Sequence, residues 1–195
     1  MKMCIVTLES ATNSPYSQSK YISEGRRDRE TAKDHEARCW RERLHANDEG
    51  NVIIPPMALK NCLAEAAKFL GMQIPGKGKA TYTKHFEAGV MVTTPVDLGV
   101  KAEDVKGEWL FVPSDGTRGG GRRVEKCFPK IDKWSGTATF YILDATVTEE
   151  VFKKVLTEAG KFIGLGRFRP RNNGYYGRFK PVRFEWLDEE SEQAA

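Results

Sequence analysis

Residues 160–180 read GKFIGLGRFRPRNNGYYGRFK, a stretch with six basic side chains, five glycines, interleaved aromatic rings and no acid. Glycine lets the backbone come close to a partner or adopt positive φ. Arginine supplies a flat, permanently charged fork that matches phosphate oxygens, and tyrosine offers a face on which a base can stack. This composition favours contact with a nucleic-acid backbone. The alternative is a glycine-rich hairpin that happens to be basic.

The arginines of this stretch alternate at Arg167, Arg169 and Arg171. In an extended segment all three would project to one side. Three cations on a single face repel one another unless a polyanion lies against them, so the pattern predicts a ligand-binding face, with a solvated hairpin as the alternative. Tyr175 and Tyr176 would point to opposite faces, so at most one of them could stack on a base while the other packs inward.

The bulk composition is that of a globular protein. The chain has 195 residues, 39% of them hydrophobic, and a net charge of +4, which is enough for one domain with a core. It has no apolar run of the roughly 20 residues needed to cross a bilayer. Residues 1–8 alternate as a short strand and not as a signal peptide, so we expect no membrane association and a cytoplasmic location.

Acidic residues are concentrated near the end of the chain. Residues 185–192 hold five acids and no base, and we expect residues 188–195 to form a disordered acidic tail. A basic remainder with a segregated acidic tail suggests a polyanionic partner.

The chain shows no pattern of a metal centre or a catalytic site. Its cysteines stand singly at positions 4, 39, 62 and 127, without a CxxC pair, and the three histidines also lack metal-ligand spacing. We therefore expect four reduced, mostly buried thiols, no metal and no cofactor. No Ser-His-Asp or HExxH pattern is present, so the sequence does not favour an enzyme.

Hydrophobic periodicity predicts alternating strands and helices. A helix over residues 57–70 ends at Gly71, and Thr148 caps a second helix that runs to about Ala159. The remaining expectations are strands near 3–8, 52–54, 90–92, 109–112, 137–143 and 181–186, a linking segment with Pro95 and Gly99, and a flexible basic loop at 113–124.

This element order predicts an α+β fold: a modified ferredoxin-like, or RNA-recognition-motif (RRM), βαββαβ arrangement with an antiparallel sheet and basic loop insertions. We expect a single domain over residues 1–187, with insertions at about 9–50, 72–88 and 113–130. A sheet of this kind can hold single strands, because splayed bases reach its face.

Two motifs resemble one protein family. Residues 54–63 read IPPMALKNCL, similar to the I-P-G-S-S-L-K-G-x-L start of the first helix in the RAMP superfamily, the repeat-associated proteins that form the backbone of CRISPR effector complexes. Residues 160–179 are similar to that superfamily's C-terminal glycine-rich loop. Pro56, Met57 and Asn61 depart from the small residues and the glycine of the helix motif.

The resemblance implies a modified RRM fold whose subunits polymerise along single-stranded RNA and hold its phosphate backbone without reading sequence. On that basis Lys60 would lie near the phosphates, and the loops at 76–86 and 113–126 would act as fingers on the strand or on the next subunit. The expected partners are single-stranded nucleic acid, RNA more than DNA, and either further copies of the chain or CRISPR effector subunits.

The residues expected to bind nucleic acid share a basic or aromatic side chain and lie in these loops or at the start of the first helix. They are Lys60, Lys77, Lys79, Lys84, Arg118, Arg122, Arg123, Arg167, Arg169, Arg171, Tyr175, Tyr176 and Arg178.

Two other functions remain open at the level of sequence. The chain could be an inhibitor or decoy that imitates a CRISPR backbone subunit and docks onto its partners. It could also be a metal-dependent RNA endonuclease, because some RAMP backbone subunits cut RNA with an aspartate in the loop after the first strand, where this chain offers Asp28 and Asp34.

Overall fold

A computed structural model describes residues 1–114, 116 and 121–188 of the chain. Arg118 and the tail beyond residue 188 lie outside the described residues. The helices and strands follow one another as β1 (Lys2–Ser10), α1 (Ala32–Cys39), β2 (Asn51–Ile54), α2 (Pro56–Leu70), α3 (Thr83–Gly89), β3 (Val90–Met91), β4 (Val96–Lys101), β5 (Lys106–Pro113), β6 (Arg123–Lys130), β7 (Ser135–Ile142), α4 (Glu149–Glu158) and β8 (Phe179–Asp188).

The central sheet has four antiparallel strands in the order β3-β7-β1-β8. Together with α2 and α4, these strands follow the βαββαβ order of the ferredoxin-like fold. The predicted α+β class and its antiparallel sheet are therefore confirmed. The other four strands form two separate pairs, β2 with β4 and β5 with β6.

The core lies between the sheet and the two long helices. Along β1 the side chains of Cys4, Val6 and Leu8 alternate toward the helices and are fully buried. Phe140 of β7 and Phe152 of α4 meet edge to face across this layer, with ring centroids 5.1 Å apart. Aromatic pairs in this geometry add stabilisation beyond their buried area.

Gly71 ends α2 and Thr148 caps α4, as predicted from the sequence. Pro56 occupies the first turn of α2, where its missing N–H is not needed, and Gly71 ends the helix at φ 55°. Thr148 accepts a hydrogen bond from the amide of Val151 at 3.4 Å and caps α4.

The predictions for the connecting segments were partly wrong. Gly99 of the expected linker belongs to β4, which begins directly after Pro95, and residues 123–130 of the expected loop insertion form β6. Proline, glycine and scattered charges interrupt the apolar alternation in both strands, so the period of two was hidden. Residues 83–86, expected in a basic loop, lie in α3, whose seven residues are too few to show helical periodicity.

The sheet face opposite the helices is poorly suited to stacking bases. Its positions along β1, β7 and β8 include Met3, Ile5, Tyr141 and Leu187, all partly exposed. Among the described positions of this face on the three long strands, Tyr141 carries the one aromatic ring. The expectation that bases lie on this sheet therefore receives little support, and the interface has to be sought elsewhere.

All four cysteines are buried and free, which confirms the prediction of reduced thiols. Burial raises the pKa of the Cys4 and Cys62 thiols to about 12. Within the residues that the structure describes, no helix has both the length and the apolar character required to traverse a bilayer.

A histidine–aspartate contact joins α3 to the end of β7. His85 Nδ1 lies 2.5 Å from a carboxylate oxygen of Asp144, which also accepts the amide of Thr146 at 2.8 Å. These hydrogen bonds, with His85 contributing more, lower the pKa of Asp144 to about 2. The amide of Leu143 donates to the carbonyl of Gly89 at 2.8 Å and closes the same junction.

We expect Asp144→Asn to lower the free energy of unfolding at pH 7 by about 1 kcal/mol, because the partly exposed carboxylate loses charge-assisted hydrogen bonds. A carboxyl group whose pKa is lowered in the folded state stabilises it fully above its unfolded pKa of about 3.9 and loses that effect as the pH falls toward 2. Urea denaturation should therefore show the wild-type advantage shrinking below pH 4. Asp28→Asn, at a nearly fully exposed carboxylate, is the control, and an advantage at pH 2.5 as large as that at pH 7 would contradict the assignment.

Candidate nucleic-acid interface

The glycine-rich segment is a compact reversal and not an extended strand. A π-helical turn over Ala159–Ile163 continues α4, and positive φ values of 71°, 70° and 54° follow at Gly164, Gly166 and Phe168. The prediction that the three alternating arginines project from an extended segment was therefore wrong, because these reversals and a 3₁₀ turn at Pro170–Asn172 shape the backbone that carries them. We refer to residues 160–178 as the glycine loop.

Four glycines of this loop lie against backbone more closely than any side chain allows. A Cβ atom would lie 1.7 Å from the Phe168 carbonyl oxygen at Gly174, and 1.8 Å from the Leu165 carbonyl oxygen at Gly177. At Gly160 a Cβ atom would lie 2.0 Å from the Phe179 carbonyl oxygen, and at Gly166 it would lie 2.2 Å from the Ser17 carbonyl oxygen. The glycines thus set the path of the loop, which is a structural role in addition to any contact with a ligand.

Backbone hydrogen bonds attach the glycine loop to the segment that follows β1. The amide of Arg167 donates to Ser17 O at 2.9 Å, and the amide of Gly177 donates to Pro15 O at 2.8 Å. These bonds hold residues 11–20 and the glycine loop side by side, with Arg167 at the junction.

A stack of cations and aromatic rings connects the glycine loop to the β5–β6 hairpin. The Arg167 guanidinium carbon lies 3.2 Å from the ring centre of Phe128 and 3.9 Å from that of Phe168. Arg43, from the 3₁₀ turn after α1, lies over the same Phe128 ring at 4.8 Å. Cation–π contacts of this kind stabilise most when the cation is desolvated.

Arg43 is neutralised by a buried carboxylate. Its Nη2 donates to both oxygens of Glu36 at 2.7 and 2.9 Å, and its Nε donates to the carbonyl of Cys127 at 3.1 Å. Glu36 also accepts the amide of Cys127 at 2.9 Å. This pair fastens α1 to the hairpin and leaves no net charge.

Arg167 has no such compensation. Burial lowers its pKa to about 10, and the more distant Glu108 opposes that shift only in part, so the group stays cationic at neutral pH. Its Nη1 is buried without a hydrogen-bond partner, and none of the described carboxylates forms an ion pair with it. A partly desolvated and unpaired cation is costly in a free protein, and an anion would remove that cost.

The other predicted cations of the loop have partners. Arg169 and Arg171 share the single carboxylate of Glu65, at 3.2 and 2.8 Å, so this trio keeps one net positive charge. Arg178 donates to the carbonyls of Lys161 and Tyr175, both at 3.2 Å, and carbonyl contacts leave its charge available.

Two grooves meet at Arg167. The first, of about 420 Å³, lies between residues 16–20, the start of α2 and the glycine loop, and the second, of about 920 Å³, lies between the hairpin and the glycine loop. Ser19, Arg167 and Asn172 line both, so they form one continuous surface, which we call the groove pair. Its basic side chains are Lys20, Arg43, His45, Arg123, Lys126, Arg167, Arg169 and Arg171.

No aspartate or glutamate is among the described residues that line the groove pair. The second groove also carries the rings of Phe111, Phe128 and Phe168, with Phe111 and Phe168 exposed. Cations beside exposed aromatic faces are the combination that single-stranded nucleic acid requires. The surface is therefore suited to a flexible polyphosphate chain.

The structure brings four of the sequence-predicted residues to this surface: Arg123, Arg167, Arg169 and Arg171. Lys60 lies outside it and donates to the carbonyl of Glu87 at 2.6 Å. Tyr176 is buried and its hydroxyl contacts both oxygens of Glu108 at 2.9 Å, so it is closed to a base. The predicted residues that line neither groove are Lys60, Lys77, Lys79, Lys84, Arg122, Tyr175, Tyr176 and Arg178, and Arg118 lies outside the described residues.

Sequence reasoning missed four residues of the surface: Lys20, Arg43, His45 and Lys126. Lys20, Arg43 and His45 lie in or beside the charged stretch that follows β1, where mixed charges indicated only a solvated face. Lys126 lies in the loop at 113–126 that was expected to contact the strand, although it was not singled out. No local signal could have found the other three, because they reach the glycine loop through long-range packing.

His45 is the titratable group of the first groove whose charge changes near neutral pH. Burial and, to a lesser extent, the positive charge of Lys20 lower the pKa of its imidazole from 6.5. His45 is therefore neutral at pH 7 in the free protein. A phosphate placed beside it would raise that pKa again.

One cluster has the composition of a metal site. Atoms of Glu24, Cys39 and Glu42 lie within 4.8 Å of one another. They are engaged with protein groups, because Arg38 pairs with Glu24 and the amides of Ser23 and Glu24 donate to Glu42. The two carboxylates are therefore already used in an ion pair and hydrogen bonds that hold the segment around α1.

The two acids considered for nuclease chemistry also have local roles. Asp34 accepts the hydroxyl of Thr31 at 2.6 Å at the start of α1, and Asp28 pairs with Arg29 at 3.8 Å. Neither acid lines the groove pair.

Comparison with solved structures places this architecture among known folds. A chain in a cryo-EM structure of the type III-B Cmr-beta bound to cognate target RNA matches with a TM-score of 0.52 and 11% identity, over 96% of this chain and 61% of that chain. The likeness is one of fold. It agrees with the α+β architecture expected from the sequence, and this chain spans 61% of the length of the chain that it matches.

A second structure, Cmr6 from Pyrococcus furiosus, matches with a TM-score of 0.47 and 13% identity, over 93% of this chain and 99% of that chain. In sequence, no family model matches and no curated protein matches. The geometry and charge of the groove pair are therefore the basis of the function proposed below.

We expect Gly177→Ala to lower the free energy of unfolding by about 2–4 kcal/mol, because the added methyl group meets the Leu165 carbonyl and the backbone has positive φ. Gly50→Ala is a matched control: its φ is 78°, and its Cβ would have open space. The control substitution should lower the free energy of unfolding by only about 1 kcal/mol. Urea denaturation of both variants measures the difference, and equal losses would show that the close approach is unimportant.

Proposed function

We propose that this protein binds single-stranded nucleic acid, RNA in preference to DNA, in the groove pair, and that it does so without cutting the strand. The observation that carries the proposal is the absence of acids from the described lining of both grooves, around the unpaired cation of Arg167. A phosphate bound at Arg167 would provide the counter-anion that none of the described carboxylates provides.

The shape of the groove pair favours a strand over a small anion. The two grooves share a wall at Arg167, so a strand can run from one into the other while its phosphates pass the same guanidinium. In the second groove, the exposed ring of Phe111 offers a face to a base, whereas Arg167 covers one face of Phe168.

The preference for RNA rests on the first groove. Ser19, Asn61 and Asn172 line it with exposed amide and hydroxyl groups. These groups can donate to and accept from a ribose 2′-hydroxyl, which DNA lacks. The groove also holds no described carboxylate beside the phosphate path, which supports a binding role over metal-assisted cleavage.

Assembly along the strand is part of the proposal. The likeness in fold to a chain from a complex bound to cognate target RNA supports both an RNA partner and neighbouring protein subunits. On this view several copies, or related subunits, lie side by side and each one holds a short segment of the strand.

We expect Lys20→Ala combined with Lys126→Ala to weaken binding of a 30-nucleotide RNA at about 150 mM salt by roughly tenfold. Each lost phosphate contact should also reduce the slope of log affinity against log salt by about 0.7 for a single strand. Fluorescence anisotropy at several salt concentrations gives both values. These lysines are suitable because Arg167 is packed in the ring stack, and its removal would disturb the fold.

The control for that experiment is Arg26→Ala combined with Lys154→Ala, which removes the same charge from exposed positions outside the groove pair. Its affinity and salt slope should stay close to those of the wild type. If both double variants lose affinity equally, binding depends on net charge alone and the proposed site is wrong.

We expect RNA affinity to rise as the pH falls from 7.5 toward 5.5. A phosphate near His45 raises the pKa of the imidazole in the complex above its lowered value in the free protein, so binding takes up a proton and is favoured by acid. His45→Gln should remove most of this pH dependence while keeping the affinity measured at pH 7.5. An unchanged pH profile in the variant would exclude His45 from the interface.

A further inference from the structure

A third cavity, of about 940 Å³, lies beside the glycine loop and shares none of its described lining residues with the groove pair. The segment after β1, the connection between β6 and β7, and Tyr175 of the glycine loop form its walls. The side chains that matter for its chemistry are Glu9, Lys130, Asp132, Lys133, Trp134 and Tyr175.

Tyr175 presents a large aromatic surface in this cavity. Its residue is 58% exposed, and its ring meets the buried Tyr176 at 4.8 Å with an interplanar angle of 84°. This T-shaped contact supports the ring and leaves much of its surface open to solvent. An exposed, supported ring of this kind is a platform for a second planar ring.

The backbone that carries this ring is fixed. The carbonyl of Tyr175 accepts the hydroxyl of Ser14 at 2.6 Å and Nη1 of Arg178 at 3.2 Å. Ser14 Oγ in turn accepts the amide of Arg178 at 2.8 Å. The platform is therefore in place before a ligand arrives, and a stacked ligand need not order the loop.

Trp134 forms another part of the cavity wall and is 5% exposed. Its backbone is held by Ser10, whose amide donates to Trp134 O at 3.0 Å and whose hydroxyl accepts the Trp134 amide at 3.2 Å. This wall, like the backbone of Tyr175, is therefore fixed by hydrogen bonds within the protein.

The charges of this cavity differ from those of the groove pair. Glu9 and Asp132 balance Lys130 and Lys133, and Lys130 lies 3.7 Å from Asp132. A balanced lining gives a phosphate no advantage. It suits a neutral planar heterocycle that has both donors and acceptors at its edge, and nucleobases have that character.

We propose that the third cavity holds one nucleobase of the strand whose phosphates lie in the groove pair, with the base stacked on Tyr175. The inference rests on the proposed function. Contacts of 3.9, 5.8 and 4.8 Å link Arg167 to Phe168, Phe168 to Tyr176 and Tyr176 to Tyr175 in succession. The phosphate site and the base site therefore lie on the same loop, and a few nucleotides can span the distance between them.

The test compares a 15-nucleotide RNA with a strand of the same length and charge whose riboses carry no bases, by fluorescence anisotropy at a fixed salt concentration. The wild type should bind the normal RNA about tenfold more tightly, as expected for loss of a stacked base. Tyr175→Ala should lower this preference several-fold, with the remainder due to base stacking in the second groove, while the salt slope stays unchanged. Tyr175→Phe, which keeps the ring, should retain the preference.

Tyr21→Ala is the control, because Tyr21 is 84% exposed and lines none of the three cavities; it should behave like the wild type. Equal affinity of the wild type for the two strands would overturn the base site and leave the phosphate site standing. A Tyr175→Ala variant that keeps the full preference would also overturn it. Failure of the wild type to bind either strand would overturn the proposed function, and the base site with it.

Discussion

The glycine loop exists because four of its residues have no Cβ atom. At each of the four positions a carbonyl oxygen lies within 2.2 Å of where the Cβ atom would be. These oxygens belong to Leu165 and Phe168 of the loop and to Ser17 and Phe179 outside it. The loop therefore folds on its own backbone and against the segment after β1, at the end of the sheet between α4 and β8. Every feature of the candidate interface is held at this compact junction.

The Arg43–Phe128–Arg167–Phe168 stack then joins parts of the chain that are distant in sequence. Arg43 comes from the charged segment after β1, Phe128 from the hairpin, and Arg167 and Phe168 from the glycine loop. Because Glu36 neutralises Arg43, the stack concentrates its net charge on Arg167. A ferredoxin-like core thus carries additional segments that meet at one desolvated cation, and the interface is a product of tertiary packing.

The sequence predicted the core of the fold because its signals are local. The alternation of Cys4, Val6 and Leu8 and the Gly71 stop depend on near neighbours, and the structure reproduces them. The hairpin strand β6 was missed because charges and Pro129 break its alternation. Lys20, Arg43 and His45 of the groove pair were missed, since their meeting with the glycine loop depends on contacts between remote segments. The basic character of the glycine loop was evident, but its geometry was not, because positive φ at Phe168 cannot be read from composition.

The pairing of cations also decides which arginine dominates the interface. Arg169 and Arg171 share Glu65, so a phosphate that approaches them meets a carboxylate at the same place and gains little net attraction. Arg167 has rings on its faces and no described carboxylate at contact distance, so the lowered pKa caused by its burial measures an electrostatic cost that the free protein bears. Under the proposed function, a phosphate bound at this position would relieve that cost. Three arginines that look equivalent in sequence are therefore unequal in the fold, and the difference comes from one glutamate on α2 and two phenylalanine rings.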